Sequence, residues 1–320
     1  MIYFVLSIDT EFDFFQYVTL FSKRQVKREF NTKVNPGIVD GLPKLLGLFE
    51  KYEVPATFFI QEQKDKALSI SSRFPDVVDR ISDLGHEIGL HVHVFEGSLS
   101  IRKKEITTGY KRLRQENFNP KSFRAGWYFT NENTIRVLEE CKIECDCSPW
   151  KNRCSGSVPW FEIPNSPYHP SYKDIRKTGD ARVLMMPITD YRLCIDLDFP
   201  LALMKKGTEI LHFVSQKMET PVFINLTMHP WDFIDPQSSK LKKDRIKKLE
   251  DYLCFMSSLE IKKISMIEAC QIWKEGKYEP YNLELPDLLW RFMPGIRRHI
   301  HLQKYLFSKI LNLRYHIGLI

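Results

Sequence analysis

The chain has 320 residues, of which 43% are hydrophobic, so it can bury one barrel-sized core or two smaller ones, which argues against a disordered protein. It contains no uninterrupted apolar run of about 18 residues, which argues against a membrane-spanning helix. The net charge of +7 is uneven, because residues 286–320 hold six Lys and Arg against one Asp; no recognised nucleic-acid module is present, and no nucleic-acid partner is expected.

Short β-branched and aromatic runs alternate with longer helical patterns along the chain, which is typical of a parallel α/β fold. Strands are predicted, in chain order, at IYFVLSID, VPATFFI, HEIGLHVH, SFRAG, IECDCS, PVFINLTMH and the start of EIKKISMIEACQIW. Helices are predicted between them, and residues 159–192, rich in Pro and Tyr, are expected to form an irregular excursion. About seven strand–helix pairs favour a barrel over an open sheet, although periodicity alone does not separate the two.

The pattern breaks near residue 276, at EGKYEPYNLELP, which predicts a catalytic body over residues 1–275 and a basic, amphipathic helical extension over residues 276–320. In residues 286–320 large apolar side chains are mixed with cations and almost no acid. This composition is typical of a segment that lies on an anionic membrane surface. The alternative is a helix that packs on the body and exposes its cations to solvent.

The N-terminal run MIYFVLSIDTEFD lacks the basic n-region of a secretion signal, and the seven cysteines are an odd number in a chain with no mark of export. Reduced thiols and a cytoplasmic location are therefore expected. The segment CKIECDCSPWKNRC lacks the paired C-x2-C spacing of structural zinc sites, so its cysteines are expected to be free.

Polar side chains follow the apolar runs of four predicted strands, where the catalytic groups of parallel barrels gather. His91 and His93 lie two residues apart, so they share a strand face and can bind one metal ion. Each polar residue alone is equally compatible with helix capping, surface exposure or packing. Together, a carboxylate and imidazoles can hold a divalent metal and leave a position open for water. The candidates are Asp9, Glu11, Asp13, His91, His93, Arg124 and His229.

The order of four segments, VPATFFI, LGHEIGLHVH, FRAGWYF and LTMHPWDF, resembles the polysaccharide deacetylase family, also called the NodB homology or carbohydrate esterase family 4 group. The resemblance covers roughly residues 2–275 and is specific through the order of its motifs. It implies a distorted (β/α)7 barrel, a divalent metal for which Zn²⁺ is expected, and hydrolysis of an N-acetyl group on a sugar.

The resemblance also implies roles for four residues. Asp9 matches the family's catalytic base, and His91 matches its first metal-binding histidine. Arg124 matches the arginine that orients the base, and His229 matches the histidine that protonates the leaving amine.

The opening motif departs from the family pattern, because the usual adjacent Asp-Asp is replaced by D-T-E-F-D. The carboxylate ligand is therefore Glu11 or Asp13. Glu11 is favoured, since it lies on the same strand face as Asp9.

Two further departures concern the second and third motifs. In the commoner H-x-x-x-H spacing the second metal histidine falls at position 95, where this chain has Phe95, so His93 is expected to substitute. The usual proline of the arginine motif is Gly126 or Ala125 here.

Aromatic residues near the predicted mouth suit stacking on a sugar ring, although ordinary loop packing is an equal alternative. The candidate substrate-binding residues are Tyr128, Trp150, Tyr168 and Trp231, and the backbone N–H of Tyr128 is a candidate oxyanion donor.

The sequence thus predicts a metal-dependent hydrolase that removes an N-acetyl group from an amino sugar in a glycan or a lipid-linked glycan precursor. Together with the basic extension, this favours a cytoplasmic protein at the inner face of the plasma membrane, acting in cell-surface glycan biosynthesis. Two alternatives stay open: a metal-independent amidase acting on a small amide, and a non-catalytic glycan-binding protein.

Overall fold

The structure, a computed structural model, describes residues 1–12, 35–94, 98–152, 154–155, 158–160, 162–235 and 237–283. Asp13, Phe95 and the extension after residue 283 lie outside these ranges. The described residues include ten strands: β1 (Ile2–Thr10), β2 (Thr57–Gln61), β3 (Glu87–Val92), β4 (Ser122–Ala125), β5 (Cys145–Asp146), β6 (Cys154–Ser155), β7 (Val158–Pro159), β8 (Leu184–Met185), β9 (Val222–Met228) and β10 (Lys262–Ile264).

Eight α-helices are found in the same ranges: α1 (Leu42–Lys51), α2 (Ile70–Arg73), α3 (Pro75–Asp83), α4 (Leu99–Gln115), α5 (Glu132–Glu140), α6 (Leu201–Ser215), α7 (Lys243–Ser258) and α8 (Met266–Gly276). Side-chain caps fix where several begin. Asn131 accepts a hydrogen bond from the Thr134 N–H at the start of α5, and Ser265 accepts one from the Glu268 N–H at the start of α8. None of the described helices has the length and hydropathy needed to cross a bilayer.

The main sheet is parallel and curls round on itself. Its strands follow the order β9, β1, β2, β3, β4, β5 and β8, and β10 pairs with the first half of β1 while β2 pairs with the second half. Beyond β8, the Thr189 N–H donates to the Asn225 carbonyl in β9 at 3.1 Å, so the two ends of the sheet meet. The predicted distorted (β/α) barrel is confirmed.

Alternate residues of β1 face opposite sides of the barrel wall. Phe4, Leu6 and Ile8 point outward into the core formed with the helices. On the inner face, Val5 packs in an apolar cluster with Phe59 and with Cys270 and other residues of α8. Farther along, the inner face of β1 becomes polar at Ser7 and Asp9, and Glu11 directly follows the strand, so the polar residues lie at its carboxyl end.

The region expected to be an irregular excursion is mostly irregular, but it contains β8 at Leu184–Met185, a strand that the sequence analysis missed. Its residues belong to the run VLMMP, which is too short to show a clear period of two. The first residues of the predicted extension pack on this region, since the Leu283 N–H donates to Asn165 Oδ1 at 3.0 Å. The boundary near residue 276 stays a prediction.

Candidate active site

A buried ion pair lies inside the barrel between β1 and β4. Arg124, which is 0% exposed, donates from Nη1 to Asp9 Oδ1 at 2.9 Å. Its Nη2 donates to Ser7 Oγ at 2.9 Å, its Nε donates to the Cys147 carbonyl at 3.0 Å, and Nη1 also contacts Thr227 Oγ1. Each nitrogen of the guanidinium thus has an acceptor, which is what a buried charge requires. The ion pair fixes the orientation of Asp9.

Glu11, His91 and His93 form a second cluster just beyond this ion pair. His91 Nε2 lies 3.1 Å from Glu11 Oε2 and 3.0 Å from His93 Nε2, and His93 Nε2 also contacts Glu11 Oε2. Burial raises the pKa of Glu11, but the charges of His93 and His91 and hydrogen bonds from His229 and His91 outweigh it and hold that pKa well below its ordinary value.

The donor atoms of Glu11, His91 and His93 all lie within 4.8 Å of one another. One carboxylate oxygen and two imidazole nitrogens that converge on one point form a donor set suited to a divalent cation. These three residues therefore fit the metal that the resemblance implies. Asp13, the alternative carboxylate, lies outside the described residues.

His229 follows β9 and faces both clusters. Its Nε2 lies 3.3 Å from Glu11 Oε1 and 3.7 Å from Asp9 Oδ2, and its Nδ1 lies 3.5 Å from Asp232 Oδ2. Its ring stacks on Trp231, with centroids 4.3 Å apart. Burial lowers the pKa of His229, but hydrogen bonds to Asp232 and Glu11 and the charges of Asp232 and Asp9 outweigh it and raise the pKa to about 10.

The structure brings Asp9, Glu11, His91, His93, Arg124 and His229 together, and it adds partners to which the sequence analysis gave no role. Asp232 accepts a hydrogen bond from the His229 backbone N–H at 2.8 Å and faces the imidazole from the same turn. Ser7 and Thr227 each lie two residues before a predicted site residue. That spacing places them on the inner strand face, and it is the signal by which they were predictable.

Of the four aromatic residues predicted to bind substrate, two are half-buried and two are buried. Trp231 is half-buried against His229, and Tyr128 is half-buried with its ring edge-on to Trp150, centroids 5.2 Å apart. Trp150 itself is nearly buried. Tyr168 is 0% exposed and donates its hydroxyl hydrogen to the Ile175 carbonyl at 2.8 Å. Contrary to the prediction, the ring of Tyr168 therefore has no face available to a sugar in this structure.

An aromatic residue that the sequence analysis did not select is exposed at the same end of the barrel. Trp127 is 54% exposed and directly follows β4 and Gly126. Trp127 and Tyr128 both have left-handed backbone angles, with φ of 55° and 56°. Bulky residues rarely adopt this conformation, and such strain often occurs at functional sites.

Residues 27–145 match the family model described as polysaccharide deacetylase. This segment contains His91, His93 and Arg124, whereas Asp9, Glu11 and His229 lie outside it. Among curated proteins, the peptidoglycan deacetylase of Helicobacter pylori is 37% identical over 65 residues, which is 20% of this chain and 20% of that protein. The match thus spans about a fifth of that relative's length.

Two solved structures share the fold. A protein of Mycobacterium smegmatis assigned as a polysaccharide deacetylase has a TM-score of 0.57 and 18% identity, covering 88% of this chain and 94% of that chain. A branching enzyme of Pyrococcus horikoshii has a TM-score of 0.52 and 10% identity, covering 89% of this chain and 72% of that chain. At these identities the likeness shows the architecture, and function has to be argued from the site.

Proposed function

We propose that this chain, whose residues 27–145 match the polysaccharide deacetylase family model, is a member of that family and a metal-dependent hydrolase that removes an N-acetyl group from an amino sugar. The observation that carries the proposal is the convergence of three groups at one end of the barrel: the Asp9–Arg124 ion pair, the Glu11, His91 and His93 cluster, and His229. The reaction breaks a carbon–nitrogen bond and needs a base, an electrophile and an acid, and this arrangement can supply all three.

Glu11, His91 and His93 would hold the metal, for which Zn²⁺ is the proposed identity. A bound divalent ion supplies Lewis acidity to the acetyl carbonyl and to the attacking water. With only three protein ligands, such a site would keep the open position that catalytic zinc sites require.

Asp9 is the proposed base. Arg124 binds its Oδ1, which leaves Oδ2 directed toward His229 and able to take a proton from an attacking water between them. Ser7 and Thr227 hold Arg124 in place, so the carboxylate is oriented before substrate enters.

His229 is the proposed acid. Its pKa of about 10 keeps it protonated at neutral pH, and Asp232 on the Nδ1 side leaves the Nε2 proton facing the reaction centre. An amide nitrogen is a poor leaving group unless it is protonated, so this proton lets the amino sugar leave as a neutral amine. The backbone N–H of Tyr128, in the strained turn after β4, is the proposed donor to the oxyanion.

The proposed substrate is an N-acetylated amino sugar in a glycan or a lipid-linked glycan precursor. Support for the lipid-linked form comes from the basic, aromatic composition of residues 286–320, which suits an anionic membrane surface. We place the reaction in cell-surface glycan biosynthesis at the inner face of the plasma membrane.

The test measures acetate release from N-acetylated nucleotide sugars, lipid-linked sugars and oligosaccharides, with the metal content determined on the same sample. We expect at least one class to release acetate, the activity to be lost on chelation, and Zn²⁺ to restore it. Acetate release that persists in metal-free protein would instead favour a metal-independent amidase. No acetate from any class, despite bound metal, would contradict the deacetylase proposal.

A further inference from the structure

The register between β3 and β4 places Gly126 beside His93. His91 pairs with Arg124 and Val92 pairs with Ala125, so the next positions along the two strands are His93 and Gly126. Paired positions of neighbouring parallel strands lie about 4.8 Å apart, and their side chains point to the same face of the sheet. A side chain at position 126 would therefore point into the space next to the imidazole of His93.

That space is already filled by the imidazole. A Cβ atom built on Gly126 would lie no more than 2.6 Å from three atoms of the His93 ring. Carbon atoms pack best at about 3.5–4.0 Å, so even an alanine requires the ring to move. The backbone of Gly126 does not require glycine for its own sake, because its φ is not left-handed, unlike that of Gly85 at 77°. The three atoms nearest to that Cβ all belong to the His93 ring, so this ring is the first obstacle to a side chain at position 126.

The ring of His93 is held on its other sides. Its Nε2 contacts Glu11 Oε2 and lies 3.0 Å from His91 Nε2, and it meets the His91 ring edge-on with centroids 4.8 Å apart. A displacement away from position 126 would break this convergence of donor atoms. The absence of a side chain at Gly126 and the position of His93 Nε2 are therefore coupled.

We infer that Gly126 is a positioning residue whose missing side chain allows position 93 to supply the second histidine of the proposed metal site. Two departures from the family pattern, the histidine at position 93 instead of 95 and the missing proline after Arg124, then have one physical cause. A histidine two residues after His91, rather than four, needs room beside β4, and a proline or alanine at position 126 would fill that room. This inference rests on the proposed function only for the statement that the three donors bind metal.

The first test measures the Zn²⁺ dissociation constant of the full chain by competition with a chromogenic chelator. We expect Gly126→Ala to weaken binding by about tenfold or more, the usual scale for residues that position metal ligands. Gly47→Ala is the matched control, because a Cβ at Gly47 in α1 meets no atom within 4 Å. Wild-type affinity in Gly126→Ala would overturn the inference.

The second test needs no metal. Thermal midpoints are measured in excess chelator for the wild type, Gly126→Ala, His93→Ala and the double variant. We expect Gly126→Ala to lower the midpoint by several degrees in the wild type and to have little effect in the His93→Ala background, where the ring is gone. An equal loss in both backgrounds would show that something other than the His93 ring requires glycine at position 126 and would overturn the inference.

The two tests separate the inference from the proposed function. If the wild type binds no Zn²⁺, the metal-dependent function fails. The four thermal midpoints still show whether Gly126 makes room for His93. If Zn²⁺ binds and the four thermal midpoints show no coupling between positions 93 and 126, the proposed metal site stands and the inference fails.

Discussion

Removal of Arg124 would take a hydrogen-bond donor from four polar groups inside the barrel. Arg124 binds Asp9, Ser7, Thr227 and the Cys147 carbonyl, and its guanidinium lies 4.5 Å above the ring of Phe59. A buried carboxylate that loses its cation keeps its desolvation penalty without compensation. At the scale of single residues, the site is therefore also part of what stabilises the fold.

We expect Arg124→Met to lower the free energy of unfolding by about 3–5 kcal/mol, because it leaves Asp9 buried without its partner. Urea denaturation measures this change. Arg182→Met is the control: Arg182 is 80% exposed and lies 3.6 Å from Glu139, so its loss should change stability by no more than about 0.5 kcal/mol. Similar losses in the two variants would contradict the structural role of Arg124.

We expect His229→Ala to lower kcat for acetate release by at least about 10²-fold, since the leaving nitrogen would have no acid. Asp232→Asn should lower kcat less, because the imidazole stays but its Nδ1 partner changes. His212→Ala, in α6, is the control and should keep wild-type turnover. Near-normal kcat in His229→Ala would refute the assigned role.

At the scale of secondary-structure elements, hydrogen bonds to Glu87 link four strands and helices. Its Oε1 accepts from Ser122 Oγ in β4 at 2.5 Å, and its Oε2 accepts from Thr57 Oγ1 in β2 at 2.7 Å and from the Ile267 N–H in α8 at 2.9 Å. Glu87 is the first residue of β3, four positions before His91. These bonds fix β3 between its neighbours at one end, and His91 and His93 lie at the other.

Burial raises the pKa of Glu87 above its ordinary value, although hydrogen bonds from Ser122 and Ile267 oppose the shift. A carboxyl group whose pKa is higher in the folded than in the unfolded state makes its full contribution to stability below the unfolded-state pKa. That contribution is lost as the pH rises through the folded-state pKa. We therefore expect the stability difference, wild type minus Glu87→Gln, to decrease as the pH rises from acid to neutral. Urea denaturation across that range measures the difference.

Glu144 is the control of opposite sign. Burial opposes the shift, but hydrogen bonds from Lys121 and Lys274 hold its pKa below the ordinary value. The contribution of Glu144 to stability is present above its unfolded-state pKa and is lost as the pH falls through its folded-state pKa. The stability difference, wild type minus Glu144→Gln, should therefore increase as the pH rises. The same trend in both variants would contradict the assignment for Glu87.

At the scale of the whole molecule, closure of the barrel assembles a site from residues more than 200 positions apart. Asp9 and His229 lie on β1 and directly after β9, which pair in parallel from Ile2 and Val222 to Ile8 and Met228. Parallel pairing brings the carboxyl ends of both strands to the same edge. Leu283, the last described residue, lies against Asn165 in the irregular region of residues 159–192.

We expect the full chain to sediment with vesicles that contain anionic lipid, and to do so less with neutral vesicles or at high salt. Removal of residues 286–320 should abolish the binding. Substitution of the six cations by Gln should also abolish it and leave turnover of a soluble substrate unchanged; these are Arg291, Arg297, Arg298, Lys304, Lys309 and Arg314. Unchanged vesicle binding by both variants would contradict the membrane proposal.

The sequence by itself determined the alternation of strands and helices, the inner face of each long strand, and the residue types that the site uses. Periods of two and 3.6 are local properties, so Asp9, Glu11, His91, His93 and Arg124 could be selected and placed on faces before any contact was known. The short strand β5 lies within the predicted run IECDCS, whereas β8 was not predicted, because two residues carry no period.

Only the tertiary structure decided which of these side chains meet. That Glu11 contacts both imidazoles, that Asp232 faces His229, that Tyr168 is enclosed in the core and that Gly126 leaves room for His93 all depend on strand register and barrel closure. Strand register depends on hydrogen bonds and side-chain packing between residues that are far apart in the chain. No local sequence pattern encodes the space left between two such side chains.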